Sequence, residues 1–149
     1  KSNKLLFQST SSEKFVTLFY SILDHQAHTL QFCNAGQDPP FLLSDGKDPV
    51  RLKTGGIVLG IMEEFPFAEE TTRIAPGDLL VIYSDGIPEA MNASKEQFGE
   101  EKLCALLEEH RAKSAAELSN LVVAAVRQHA GTWPQSDDMT LLIVKRLRS

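Results

Sequence analysis

The stretch that decides the fold is "LLVIYSDG" at residues 79–86, where an uninterrupted apolar run leads directly into an aspartate and a glycine. A continuous run of Leu, Val, Ile and Tyr is typical of a strand that is covered on both faces. Near the other end of the chain, "SDDMTLLIV" at residues 136–144 shows the reverse order, with two aspartates before an apolar run. We therefore predict two buried strands with carboxylates at their ends.

The positions of these aspartates predict that they meet. Asp85 follows its strand and Asp137 precedes the other, so antiparallel pairing would place both carboxylates at one edge of the sheet. Carboxylates at buried strand ends are costly unless a cation compensates for them, and oxygen ligands favour Mg²⁺ or Mn²⁺ over zinc. Gly86 lets the backbone turn sharply beside Asp85. Taken separately, each motif is more often an ordinary turn; taken together, they favour a metal site.

Composition limits the class of protein. The chain has 149 residues, of which 42% are hydrophobic and 23% charged, as in one globular domain. Its formal net charge is −5 without a Lys/Arg cluster, so we expect no nucleic-acid partner. No apolar run approaches the roughly 18 residues of a membrane helix, so we expect no membrane insertion by this segment. Cys33 and Cys104 lack metal-ligand spacing and indicate a reducing, cytoplasmic setting.

The hydrophobic pattern predicts an α+β fold in which antiparallel sheet packs on helices. Extended segments are predicted at residues 15–23, 28–35, 41–44, 50–53, 67–74, 79–84 and 139–144. The first two of these are predicted to form a hairpin, and so are the next two. Helices are predicted at 100–111 and 114–131, the second opened by a capping box of Ser114 and Glu117 and ended by Gly131.

The order of the motifs is more informative than any one of them. From the N-terminus they read "FVTLFYSILD" (15–24), "LQFCNAGQDPPFLL" (30–43), "GGIVLG" (55–60), "APGDLLVIYSDGIPEAMN" (75–92), "FGEEKL" (98–103) and "SDDMTLLIV" (136–144). In this order they resemble the C-terminal two-thirds of the PPM/PP2C-type serine/threonine phosphatases, in the bacterial branch of RsbU- and SpoIIE-like domains. The resemblance covers nearly the whole chain and implies a PP2C-like antiparallel β-sandwich flanked by helices.

The resemblance also implies an activity and its residues. Members of this family are metal-dependent protein serine/threonine phosphatases, in which two Mn²⁺ or Mg²⁺ ions activate a water that hydrolyses phosphoserine. The matching motifs assign Asp85 and Asp137 to metal binding and catalysis. They give Gly86, Glu89 and Asp138 supporting roles around the metal ions.

The loop "NAGQ" adds three candidates, Asn34, Gly36 and Gln37, which the resemblance places in a substrate loop. The branch usually has histidine where this chain has Gln37, a change that we expect to alter loop or substrate contacts rather than metal binding. The implied substrate is phosphoserine on a regulatory protein, such as an anti-sigma-factor antagonist. The implied parent protein carries an upstream sensor or receiver domain.

The family's Gly-Asp…Gly-His-Gly segment, which supplies a bridging aspartate, has no counterpart in this sequence. We therefore expect residues 1–149 to be a single, N-terminally truncated PPM-type domain that lacks the family's first strands. Alone it would be weakly active or inactive, and its exposed sheet edges would favour a homodimer. Two other hypotheses stay open: a non-catalytic PP2C-like interaction module, and an unrelated α+β domain with solvated acidic turns.

Overall fold

The computed structural model describes residues 1–9 and 14–148. They fall into two compact units, one within Lys1–Pro39 and Arg51–Ala75 and the other within Pro40–Val50 and Pro76–Ser149. In chain order, the elements are α1 (Ser2–Ser9), β1 (Leu18–Asp24), β2 (Thr29–Ala35), β3 (Phe41–Leu43), β4 (Val50–Arg51), β5 (Gly55–Gly56), β6 (Glu70–Arg73), β7 (Leu79–Tyr83), α2 (Glu100–Glu109), α3 (Ala115–Ala130) and β8 (Leu141–Lys145). The mixture of antiparallel sheets and helices confirms the α+β class.

The sheet of the first unit is organised around β2. β1 and β2 form the predicted antiparallel hairpin, in which Leu18 lies opposite Ala35, and β6 pairs antiparallel with the other side of β2. β5 instead runs parallel to β2, a pairing that the sequence analysis did not predict. A Cβ added at Gly55 would lie 1.8 Å from the carbonyl oxygen of Asn34, so glycine permits this close backbone approach.

The two strands of this hairpin differ in burial. Leu30 and Phe32 of β2 are almost completely buried. In β1, by contrast, Leu18, Tyr20 and Ile22 are all more than two-fifths exposed. β1 is an edge strand of the described sheet, with β2 as its neighbour. The first unit thus buries its central strand and presents apolar side chains from its edge.

The sheet of the second unit has the order β4-β3-β7-β8. β7 pairs antiparallel with both neighbours, with Val81 opposite Phe41 on one side and Tyr83 opposite Leu141 on the other. The prediction that β7 is buried is confirmed, since four of its five residues are buried. The prediction of a fully buried β8 was wrong, because β8 lies at the sheet edge and leaves Leu142 53% exposed.

Two helices complete the core of the second unit. α3 opens with the predicted capping box, in which the Ser114 side chain accepts a hydrogen bond from the Glu117 N–H and the Glu117 carboxylate accepts one from the Ser114 N–H. Gly131 caps its C-terminus. The buried side chains of β3, β7, β8 and both helices form one cluster: Phe41, Leu43, Leu79, Val81, Tyr83, Ile87, Phe98, Leu103, Leu107, Leu118, Val122, Val126 and Ile143. None of the described helices is both long enough and apolar enough to cross a membrane.

Candidate functional site

The antiparallel pairing of β7 with β8 places the predicted aspartates at one edge of the second sheet. The last paired residues are Tyr83 and Leu141. Beyond them, the Ser84 N–H donates to the carbonyl oxygen of Thr140 at 3.0 Å, which extends the ladder by one bond. Asp85 leaves β7 where Asp138 enters the segment before β8, so the edge predicted from the sequence is confirmed.

The Ser84 side chain joins the two segments of this edge by hydrogen bonds. Its hydroxyl donates to the carbonyl oxygen of Asp138 at 2.8 Å and accepts from the Thr140 N–H at 2.9 Å. Together with the backbone bond, three hydrogen bonds hold the end of β7 to residues 138–140. The sequence analysis did not predict this positioning role. The one signal for it was a short hydroxyl side chain immediately before the strand-end aspartate.

Gly86 is required here for space. A Cβ at this position would lie 2.4 Å from the carbonyl oxygen of Asp138 and 3.2 Å from that of Asp137. Such distances are below van der Waals contact, so any side chain would force the two segments apart. Gly86 is not among the glycines with positive φ, so the sharp turn expected of it does not depend on a left-handed backbone. Its role is to let the 85–86 backbone touch the 137–138 backbone.

Local hydrogen bonds fix the remaining backbone of the site. The Asp138 N–H donates to the Asp137 carboxylate at 2.7 Å, and the Gln135 side-chain amide donates to the Asp137 carbonyl oxygen at 2.7 Å. The Glu89 N–H donates to the Asp85 carbonyl oxygen at 2.9 Å. Five predicted residues, Asp85, Gly86, Glu89, Asp137 and Asp138, therefore belong to one bonded edge. Gln135 was not predicted, because its contact depends on the path of the loop.

The carboxylates of this edge lie in water. Asp85, Asp137 and Asp138 are all exposed, although β7 ends in the buried Tyr83. The expectation that burial makes these carboxylates costly was therefore wrong for this chain, because solvent hydrates them. An exposed carboxylate remains free to exchange water for a cation.

The donor set fits a hard divalent ion in type. Carboxylate and backbone carbonyl oxygens are the ligands that Mg²⁺ and Mn²⁺ prefer. Within residues 1–9 and 14–148, no three His, Cys, Asp or Glu side chains are grouped so that they could hold a metal ion. The described residues therefore do not form a complete metal-ligand set by themselves.

The other predicted residues, Asn34, Gly36 and Gln37, lie in the first unit, where their contacts stabilise the loop that contains them. Asn34, which is 4% exposed, accepts from the Gln37 N–H at 2.9 Å and donates to the Gln37 carbonyl oxygen at 2.9 Å. Gly36 has φ +77°, and a Cβ there would lie 2.3 Å from Val58 Cγ1. The Gln37 side chain accepts from the Thr17 hydroxyl at 3.0 Å. These contacts account for the Asn-Ala-Gly-Gln sequence structurally, and a substrate role stays a prediction.

Comparison with known proteins places the chain in a family. The family model described as stage II sporulation protein E (SpoIIE) matches residues 1–147. Protein IcfG of Synechocystis sp. is 31% identical over 132 residues, which is 89% of this chain and 21% of that protein. Phosphoserine phosphatase RsbU of Bacillus subtilis is 27% identical over 147 residues, which is 97% of this chain and 43% of that protein. The chain thus spans less than half the length of either relative.

Solved structures show the same fold. The PP2C phosphatase domain of SpoIIE from Bacillus subtilis, solved with a fragment of its regulatory domain, matches with a TM-score of 0.76 at 26% identity, over 96% of this chain and 41% of that one. The SiaA-PP2C domain of Pseudomonas aeruginosa matches with a TM-score of 0.77 at 21% identity, over 95% of this chain and 56% of that one. Sequence and fold agree with the motif order, and the chain belongs to the SpoIIE family, the RsbU/SpoIIE-like branch of the PPM/PP2C-type phosphatases.

Proposed function

We propose that this chain is part of a metal-dependent protein serine/threonine phosphatase that hydrolyses phosphoserine on a regulatory protein. The observation that carries the proposal is the edge at which Ser84 and Gly86 hold Asp85 against the Asp137–Asp138 backbone. Support also comes from the relative RsbU, a phosphoserine phosphatase, and from proteins of similar fold solved with manganese or magnesium. The proposed ions are Mn²⁺ or Mg²⁺, two in the complete domain.

The residues of this chain would have distinct tasks. Asp85 and Asp137 would hold the ions, which when bound supply charge stabilisation and an activated water. Ser84 and Gly86 fix the distance between the two carboxylate-bearing segments, and Asp138 and Glu89 support them. In the reaction, the bond between phosphorus and the serine oxygen breaks, water supplies the new P–O bond, and the serine oxygen takes up a proton.

Thermal unfolding with and without millimolar Mn²⁺ tests the ion-binding part of the proposal. An ion at about ten times its Kd stabilises the native state by roughly 1.4 kcal/mol. For a chain of this length, we expect that to raise Tm by about 3–5 °C. Asp85→Asn and Asp137→Asn should each remove the rise. Asp48→Asn is the matched control, because it neutralises an exposed aspartate of the same unit in a turn far along the chain from β7 and β8.

Hydrolysis of p-nitrophenyl phosphate with Mn²⁺ by the parent protein, which is expected to supply the family's Gly-Asp…Gly-His-Gly segment, tests the chemistry. Loss of a metal ligand should lower kcat by at least about 100-fold, since even groups that only orient ligands contribute about 10–100-fold. Full activity in Asp85→Asn would remove that residue from the site. A Tm rise without any hydrolysis would instead favour the second candidate.

That second candidate is a non-catalytic PP2C-like module that binds partners. It is favoured by one observation, that the described residues do not group three potential metal ligands. The remaining expectations stay predictions: an anti-sigma-factor antagonist as substrate, an upstream sensor or receiver domain, a homodimer, and a cytoplasmic location. The exposed apolar side chains of β1 support the homodimer.

A further inference from the structure

A pocket of about 290 Å³ lies beside the aspartates in the second unit. We propose that it receives an apolar side chain that neighbours the phosphoserine in the protein substrate, so that it sets sequence preference; this inference rests on the proposed phosphatase function. The pocket is formed by the C-terminal end of α3, the loop after it, and the turn after β7. Its apolar lining comes from Ala90, Met91, Val126, Ala130, Trp133 and Met139.

The residues that line the pocket can accommodate either an aliphatic or an aromatic side chain. Two methionines adapt to different shapes, and the Trp133 ring offers a large apolar surface. Val126, which is buried and belongs to the core cluster, also lines the pocket. Arg127 contributes a cation to the lining, so an acidic side chain is the competing occupant.

Two lining residues connect the pocket directly to the aspartates. Gly86 lines the pocket, follows Asp85 in the chain and lies against the backbone of Asp137 and Asp138. Gln135 also lines the pocket, and its side-chain amide donates to the Asp137 carbonyl oxygen at 2.7 Å. The pocket therefore adjoins the backbone of both aspartate-bearing segments, where the residues next to a bound phosphoserine would lie.

The size of the pocket selects this occupant over a small-molecule cofactor. Sites for cofactors and drug-sized ligands usually measure about 300–1,000 Å³, so 290 Å³ lies at their lower limit. Such a space is large enough for one aliphatic or aromatic side chain. Peptide recognition commonly works in this way, with a few side-chain pockets beside the group that is chemically modified.

The test uses the chain with Mn²⁺ and short peptides that differ in two features. The core peptide is Gly-Leu-phosphoserine-Leu-Gly; the others replace both Leu by Gly or by Glu, or replace phosphoserine by serine. Trp133 is the single tryptophan of the 149-residue sequence, so its fluorescence reports binding at the pocket without relying on catalysis. We expect the Leu phosphopeptide to bind at least about tenfold more tightly than the Gly phosphopeptide.

Two variants of α3 localise the effect. Ala130→Leu places a side chain in the pocket and should make the Leu and Gly phosphopeptides bind equally. Ala124→Leu makes the same change at an exposed position of α3 outside the pocket and should preserve the tenfold preference. Because the wild-type comparison alone decides between Leu and Gly, the test does not depend on either variant folding.

Each outcome has a distinct meaning. Equal binding of the Leu and Gly phosphopeptides, absence of binding by both, or preference for the Glu phosphopeptide would overturn the apolar pocket. A preference for Leu that Ala130→Leu leaves intact would overturn its location. If the parent protein with Mn²⁺ does not hydrolyse p-nitrophenyl phosphate, the proposed phosphatase function fails, whereas hydrolysis there without a preference for Leu removes only the pocket inference.

Discussion

The central strand of the second unit and an edge strand of the first unit differ in how far they bury their apolar side chains. In the second unit, the central strand β7 and both large helices bury their apolar side chains in one cluster. In the first unit, β1 has a comparable apolar content, yet Tyr20 is 58% and Ile22 52% exposed. The difference follows from position in the sheet: β7 has a strand on each side, whereas β1 is an edge strand. Apolar content alone therefore does not determine burial, and the second unit carries the more complete core of the two.

Truncation of one leucine in each unit should give the largest contrast. Leu118 of α3 is completely buried in the core cluster, whereas Leu23 of β1 is 49% exposed. Leu118→Ala leaves a cavity and should lower the free energy of unfolding by about 3 kcal/mol. Leu23→Ala should change it by less than about 0.5 kcal/mol. Urea unfolding followed by Trp133 fluorescence and by far-ultraviolet circular dichroism measures both changes.

A large decrease in the free energy of unfolding of Leu23→Ala would contradict the exposure of β1, because it would show that β1 is covered in solution. Circular dichroism matters for that outcome, since Trp133 lies in the second unit and would not report unfolding confined to the first.

The elements of the second unit could be predicted from local sequence because each has a local signal. The run "LLVIY" predicted β7, and the Ser114–Glu117 pair predicted the start of α3, which the structure confirms. The exposure of β8 could not be predicted in the same way. Its apolar run resembles that of β7, and only the order of strands in the sheet decides which of the two is central.

Glycine-to-alanine substitutions test the stability contributed by one close backbone contact in each unit. A Cβ at Gly86 would meet the Asp138 carbonyl oxygen at 2.4 Å, and one at Gly55 would meet the Asn34 carbonyl oxygen at 1.8 Å. Either alanine forces backbone to move and should cost about 1–3 kcal/mol of unfolding free energy. Only Gly86→Ala should also abolish the rise in Tm with Mn²⁺, because it displaces the Asp137–Asp138 segment.

Thermal unfolding of both variants with and without Mn²⁺ measures the two effects together. Retention of the full Mn²⁺ response in Gly86→Ala would show that the contact between residue 86 and the Asp138 carbonyl oxygen does not position the site.

At the candidate site, some residues could be predicted from the sequence and others could not. Asp85 and Asp137 could be placed at one edge because strand pairing and strand ends are visible in the pattern. Ser84 and Gln135 could not be assigned, since the Ser84 contact spans 54 residues and the Gln135 contact depends on a loop. Hydrogen bonds of this kind leave no periodic trace in the sequence.

The smallest expected effect is on the pH dependence of stability, to which one exposed carboxylate in each unit contributes. In the second unit, the hydrogen bond from the Ser114 hydroxyl lowers the pKa of Glu117 below its usual value of 4.5. In the first, the N–H groups of Ala27 and Gln26 lower the pKa of Asp24 below its usual value of 3.8. A lowered pKa in the folded state means that each carboxylate stabilises the fold above its usual pKa. That contribution is lost as the pH falls through the folded value.

Glu117→Gln and Asp24→Asn keep a hydrogen-bond acceptor but remove the titrating group. Between about pH 6 and about pH 3, the Tm of each variant should therefore fall by less than the Tm of the wild type. The loss should begin at higher pH for Glu117 than for Asp24, because the usual value of a glutamate is higher. Glu64→Gln controls for the change in net charge, since no hydrogen bond to that side chain is seen in the described part of the chain. If Glu64→Gln reduces the acid loss of Tm as much as the other two variants do, the effect comes from net charge, and the capping box and the hairpin turn contribute nothing of their own to acid stability.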